Sequence, residues 1–137
     1  MTITGRPSLR FWIVDDDLAF GMSLKRLLNA RGFPAEYFGS AQSFLDSVPP
    51  GQTGCAIVDI HMPVDDGFAL LKKMRAGHYE IPVIIITGQA DVKAQDRAIQ
   101  AGAAGFLQKP FSEELLMELI GNIIENSRRR PGCPPAG

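Results

Sequence analysis

The sequence predicts an α/β protein, a (βα)5 doubly wound, three-layer sandwich on a five-stranded parallel sheet. Two observations predict it. Short apolar runs alternate along the chain with longer stretches whose apolar residues recur at helical spacing. The central runs, Cys55 to Val58 and Val83 to Ile86, are continuously apolar, which implies burial on both faces of a parallel sheet. Right-handed crossovers between parallel strands then put helices on both sides.

The first strand is Phe11-Trp12-Ile13-Val14, halted by Asp15-Asp16-Asp17. From Leu18 to about Arg31, Leu24, Leu27 and Leu28 recur at helical spacing, with Asp17 as the N-cap and Gly32 ending the helix. Ala35 to Phe38 is a weaker second strand. Ser40 caps a short helix carrying Phe44 and Leu45, which stops before Pro49-Pro50-Gly51. The third strand, Cys55 to Val58, ends at Asp59. A third helix begins near Asp65 or Asp66 and passes through Leu70, Leu71 and Met74 to Gly77. Val83 to Ile86, the most hydrophobic strand, ends at Thr87-Gly88. Asp91 suits the N-cap of a helix ending near Gly102. Gly105 to Gln108 is a short fifth strand, ending at Lys109-Pro110. Ser112, followed by Glu113 and Glu114, caps a last helix whose apolar face is Leu115, Leu116, Leu119, Ile120, Ile123 and Ile124. What remains, Arg128 to Gly137, holds three arginines, then three prolines and two glycines, the composition of a linker or disordered tail.

At 137 residues, 45% hydrophobic and 21% charged, the chain is the size of one globular domain. Fourteen Lys and Arg against fifteen Asp and Glu leave a net charge of −1. That balance excludes a broadly basic nucleic-acid binder and a polyacidic tail. No segment approaches the ~20 apolar residues of a membrane span, and the N-terminus lacks the apolar stretch of a signal peptide. Cys55 and Cys133 lie outside any CxxC or Cys/His cluster. The pattern argues against a disulfide framework or zinc site, and the cytoplasm is the expected compartment.

In open parallel sheets, chemistry collects at the carboxyl ends of the strands. Here the first strand ends in Asp15 and Asp16, the third in Asp59, the fourth in Thr87 and the fifth in Lys109. Two like charges about 4 Å apart repel by roughly 4 kcal/mol at an effective dielectric near 20. Three clustered carboxylates therefore hold a proton or recruit a cation. Hard carboxylate oxygens favour Mg²⁺, which keeps waters for an incoming phosphate. The metal, Lys109 and the Thr87 hydroxyl would together receive a tetrahedral dianion above Asp59. Asp59 would then be the nucleophile, forming an aspartyl phosphate.

The runs Ile13-Val14-Asp15-Asp16-Asp17, Val58-Asp59-Ile60-His61-Met62-Pro63 with Gly67, Ile86-Thr87-Gly88 and Lys109-Pro110-Phe111 resemble the receiver domain of two-component response regulators. The resemblance covers roughly residues 9–127, leaving 1–8 as a flexible N-terminus and 128–137 as the linker or tail. It implies a flavodoxin-like sheet in the order 2-1-3-4-5. It implies that Asp59 takes its phosphoryl group from a histidine kinase or phosphotransfer protein in a reaction needing Mg²⁺ (or Mn²⁺). Asp16 and Asp59 would ligate the metal through side chains, His61 through its backbone carbonyl, and Asp15 through water. Thr87 and Lys109 would contact the phosphoryl oxygens. Thr87 and Phe106 match the switch positions, Lys109–Pro110 the family's common cis bond, and Phe replaces a switch Tyr. His61 and Gln89 stand where the family varies, which leaves the lifetime of the phosphate open. The readout face would be the fourth helix, fifth strand and fifth helix, about Asp91 to Ser127, where phosphorylation promotes homodimers.

Plainer readings stand beside these. Asp65 and Asp66 serve as a helix start, Phe106 as a core aromatic, and Arg128 to Arg130 as a solvated linker. A different function class is a phosphatase of the haloacid-dehalogenase type with an Asp15 nucleophile, although Leu18-Ala19 departs from that motif. A third is the regulatory part of a transcription factor, its DNA-binding output domain absent from these 137 residues. The chain itself is expected to bind neither nucleic acid nor membrane.

Overall fold

The computed structural model describes residues 9–62, 66–88 and 92–129. Its elements run β1 (Arg10–Val14), α1 (Leu18–Ala30), β2 (Ala35–Phe38), α2 (Ala41–Ser47), β3 (Gly54–Asp59), α3 (Gly67–Ala76), β4 (Val83–Thr87), α4 (Val92–Gln100), β5 (Gly105–Gln108) and α5 (Glu113–Arg129). All five strands pair in parallel, in the order β2-β1-β3-β4-β5. The fold class and strand order are those the sequence predicts.

Alternation along each strand sends successive side chains to opposite layers. Phe11, Ile13, Cys55, Ile57, Ile84 and Ile86 pack with Leu24 and Leu28 of α1 and Leu116, Ile120 and Ile123 of α5. Trp12, Val14, Ala56, Val58, Val83 and Ile85 pack with α2, α3 and α4 on the other face. Trp12 is 2% exposed and meets Phe44 edge-on, with ring centres 6.4 Å apart.

The caps follow the sequence. Asp17, Ser40 and Asp66 accept hydrogen bonds from the N–H groups of Phe20, Ser43 and Ala69, satisfying donors that a helix start leaves open. Gly67 has a steric cause. A Cβ there would lie 2.8 Å from the Asp59 carbonyl oxygen and 2.9 Å from the Ile60 Cα. Only glycine lets the first turn of α3 lie against the end of β3.

One expectation needs correction. Leu115 is not part of the buried face of α5 but is 48% exposed. Leu116, Ile120 and Ile123 recur at i, i+4 and i+7 against the sheet, and Leu115 is turned about 100° away from Leu116. The backbone of α5 runs through Arg129. Residues 1–8, Asp65, Gln89, Asp91 and 130–137, with Cys133, lie outside the described residues. No helix among the described residues is long and apolar enough to cross a membrane.

Candidate functional site

Parallel pairing gathers the carboxyl ends of all five strands on one edge. β1 delivers Asp15 and Asp16 just past Val14, β3 and β4 end on Asp59 and Thr87, and Lys109 follows β5. Main-chain bonds extend the sheet past its strands and fix these positions. The Asp15 N–H donates to the Phe38 carbonyl at 3.1 Å, Ile60 to Ile86 at 3.0 Å, and Lys109 to Thr87 at 2.7 Å. Asp15 and Thr87 are fully buried, Asp59 nearly so, and Asp16 is open to solvent.

One carboxylate oxygen from each of Asp15, Asp16 and Asp59 lies within 4.8 Å of the others. Lys109 Nζ donates to Asp15 Oδ2 at 2.9 Å and stands 3.7 Å from Asp59 Oδ2. The other Asp15 oxygen accepts the Asp17 N–H at 2.9 Å, and Asp59 Oδ1 accepts the His61 N–H at 3.1 Å. Burial pushes the Asp59 carboxyl from 3.8 up to about 6. Asp15 adds to that rise, while the His61 N–H and Lys109 pull against it. Burial pulls the Lys109 ammonium down, but its hydrogen bond to Asp15 and the charges of Asp15 and Asp59 outweigh that and raise its pKa.

Lys109 alone is a poor match for three carboxylates. The donor set is all hard oxygen, one member faces solvent, and Asp59 resists ionising beside Asp15. That chemistry fits a divalent cation of the Mg²⁺ type.

Thr87 closes β4, and the Lys109–Pro110 peptide is cis. The His61 residue is exposed beside Asp59. Phe106 is half-buried against the core layer that holds Ala94 and Ala98 of α4. Sequence reasoning does not find Phe20. Its ring centre lies 4.1 Å from Lys109 Nζ, and it meets Phe111 edge-on at 5.9 Å, so the ammonium rests on an aromatic face as well as on carboxylates. The available signal is an aromatic within one helical turn of the acidic run.

A model of the response regulator receiver domain matches residues 11–121. The transcriptional regulatory protein FixJ of Bradyrhizobium diazoefficiens is 40% identical over 116 residues, which are 85% of this chain and 57% of that protein. The DNA-binding transcriptional regulator NtrC of Klebsiella pneumoniae is 36% identical, over 84% of this chain and 24% of that protein. The chain thus spans about half the length of FixJ, and less of NtrC. Among solved structures, the N-terminal part of FixJ superposes with a TM-score of 0.77 at 32% identity, covering 88% of this chain and 96% of that one. Full-length FixJ from B. japonicum gives 0.81 at 38% identity, over 89% and 60%.

An Asp15 phosphatase nucleophile finds no support in these relatives. It also fails on geometry, because Asp15 is fully buried with its oxygens engaged by Lys109 and the Asp17 N–H. From β1 into α5, the match and the strand-end chemistry coincide, and the chain belongs to the response regulator receiver domains, phosphorylatable signalling modules of two-component systems.

Proposed function

We propose that Asp59 is the phosphoacceptor of this receiver. An Asp59 oxygen attacks the phosphorus of a phosphohistidine on a histidine kinase or phosphotransfer protein. The O–P bond forms as the P–N bond breaks, and the imidazole leaves, taking a proton from solvent. The observation that carries this reading is the Asp59 carboxylate at the end of β3, with Lys109 Nζ 3.7 Å away and Asp15 and Asp16 alongside.

Asp16, Asp59 and the His61 main-chain carbonyl would hold Mg²⁺ (or Mn²⁺), with Asp15 acting through water. Bound there, the ion supplies positive charge for the phosphoryl oxygens. Lys109 and the Thr87 hydroxyl bind those oxygens from the β4–β5 side. The same groups give the domain a catalytic share in its own phosphorylation and dephosphorylation, and His61 and Gln89 tune the phosphate's lifetime. Incubation with Mg²⁺ and a small phosphodonor should add one phosphoryl mass to the intact protein. Asp59→Asn and chelation should each abolish the gain. Protein that never acquires an Asp59-dependent phosphoryl group overturns the reading.

Thr87 and Phe106 carry the change to the α4–β5–α5 face by population shift. Exposed Ile99 of α4 (64%) and Leu115 of α5 (48%) support self-association there. In a longer protein the same face would govern a DNA-binding output domain, in keeping with its relatives FixJ, a transcriptional regulatory protein, and NtrC, a DNA-binding transcriptional regulator. Sedimentation with a stable phosphate mimic should show a dimer, and an unchanged monomer counts against this part.

A further inference from the structure

We propose that Tyr37 is a positioning residue for the acidic loop after β1, and that Gly21 exists at its place in α1 to let it act. The inference rests on the metal-binding reading of Asp15 and Asp16. Tyr37 lies on β2, opposite Ile13 in the parallel register. Its hydroxyl donates to the main-chain carbonyl of Asp15 at 2.5 Å. From the other side, the Asp15 N–H donates to the carbonyl of Phe38 at 3.1 Å. Neighbouring residues of β2 therefore hold both polar groups of the Asp15 backbone.

The consequence falls on Asp16. The Asp15 carbonyl belongs to the peptide plane that leads into Asp16, so fixing that oxygen fixes where the Asp16 backbone, and hence its carboxylate, begins. Asp16 is open to solvent, so burial does not orient its carboxylate as it does that of Asp15. The tyrosine hydroxyl thus does for the exposed ligand what burial and Lys109 do for Asp15. It works through another residue, as an outer-shell partner of a metal ligand does. A tyrosine phenol is protonated at neutral pH, so the hydroxyl is able to donate.

Gly21 is the second half of the device. It is buried in the interior of α1, where glycine is a poorer helix former than alanine. A Cβ at this position would overlap the Tyr37 ring. The missing side chain is the slot through which the ring passes to reach Asp15. An alanine would push the ring aside and remove the hydroxyl from its acceptor without altering any ligand atom.

The test uses Tyr37→Phe, Gly21→Ala and the double variant, with two readouts. In metal-free protein, amide exchange at Asp15 and Asp17, whose N–H groups bond to Phe38 and to the Asp15 carboxylate, should quicken on the order of tenfold in Tyr37→Phe, while β3 and β4 keep their protection. By calorimetric titration with Mg²⁺, the Kd should rise about tenfold in each single variant. Because both substitutions remove one contact, the double variant should bind Mg²⁺ no worse than the weaker single. Wild-type exchange at Asp15 and Asp17 in Tyr37→Phe overturns the proposal, as do Mg²⁺ losses that add in the double variant. Wild-type protein that binds no Mg²⁺ overturns the metal reading instead, and the metal-free exchange still decides whether Tyr37 positions the loop.

Discussion

On the β1–β3 side of the molecule, main-chain and side-chain bonds hold the Asp15 and Asp59 carboxylates, whereas on the α4–β5 side the packing is thin. β3 is buried at each position from Gly54 to Asp59, but in β5 only Leu107 is fully buried. Among the described side chains, α1 is anchored by Leu24 and Leu28, and α4 by Ala94 and Ala98. A buried leucine stabilises by about 1.5–3 kcal/mol, and an alanine side chain has far less apolar area to bury. α4 therefore opens at lower free energy than α1, and moving elements in switches come from that end of the stability range. On the proposed reading, Asp15, Asp16 and Asp59 sit on the stiff half and the readout would fall on the soft half, where a modest bias moves populations.

The comparison breaks most visibly if the stiff half is hollowed out. Leu28→Ala should cost about 3 kcal/mol, read as a lower denaturation midpoint with an unchanged slope. A loss below about 1 kcal/mol would mean that α1 is no better anchored than α4. Next comes the cation at the seam. Lys109→Met leaves the fully buried Asp15 carboxylate without its ammonium. The variant should lose about 2 kcal/mol and take up phosphoryl groups at least about a hundredfold more slowly. Uptake at the wild-type rate would show that Lys109 is structural alone.

Asp59→Asn should act in the opposite direction. The folded carboxyl titrates near 6 against an ordinary 3.8, so folding favours its protonated form. Stability on this account is fully present below about pH 3.8 and is lost as pH rises through 6. In metal-free protein at pH 7.5 the variant should therefore be more stable by about 1–2 kcal/mol, after discounting for solvent screening. The gain should vanish below pH 4, and a thermal melt series across pH would expose its absence. The smallest effect belongs to the soft half. Ala98→Gly should cost about 1 kcal/mol, with faster amide exchange centred on α4 and β3 nearly unaffected.

Much of this contrast is readable in the sequence. The unbroken runs Cys55 to Val58 and Val83 to Ile86 announce central strands, and Asp15, Asp59, Thr87 and Lys109 mark their ends, because a parallel sheet leaves little choice about where its carboxyl edge lies. The caps Asp17, Ser40 and Asp66 are local chemistry and are read locally. Phe20 beneath Lys109 and Tyr37 on Asp15 are not readable in this way. Those contacts join residues 89 and 22 positions apart, and no periodicity reports them. Gly21 looks like a blemish in a helix until the Tyr37 ring is seen beside it. Leu115 fails for a related reason: helical spacing groups apolar residues, but only the sheet beneath decides which edge of a wide stripe is covered.

The lone tryptophan of the chain, Trp12, turns the stiff half into its own optical reporter. Buried on β1 at 2% exposure and edge-on to Phe44 of α2, its indole sits in an apolar layer that aqueous quenchers do not enter. Unfolding of that layer should expose the indole and redden its emission. Intrinsic fluorescence therefore reports loss of the β1–α2 packing without any added label.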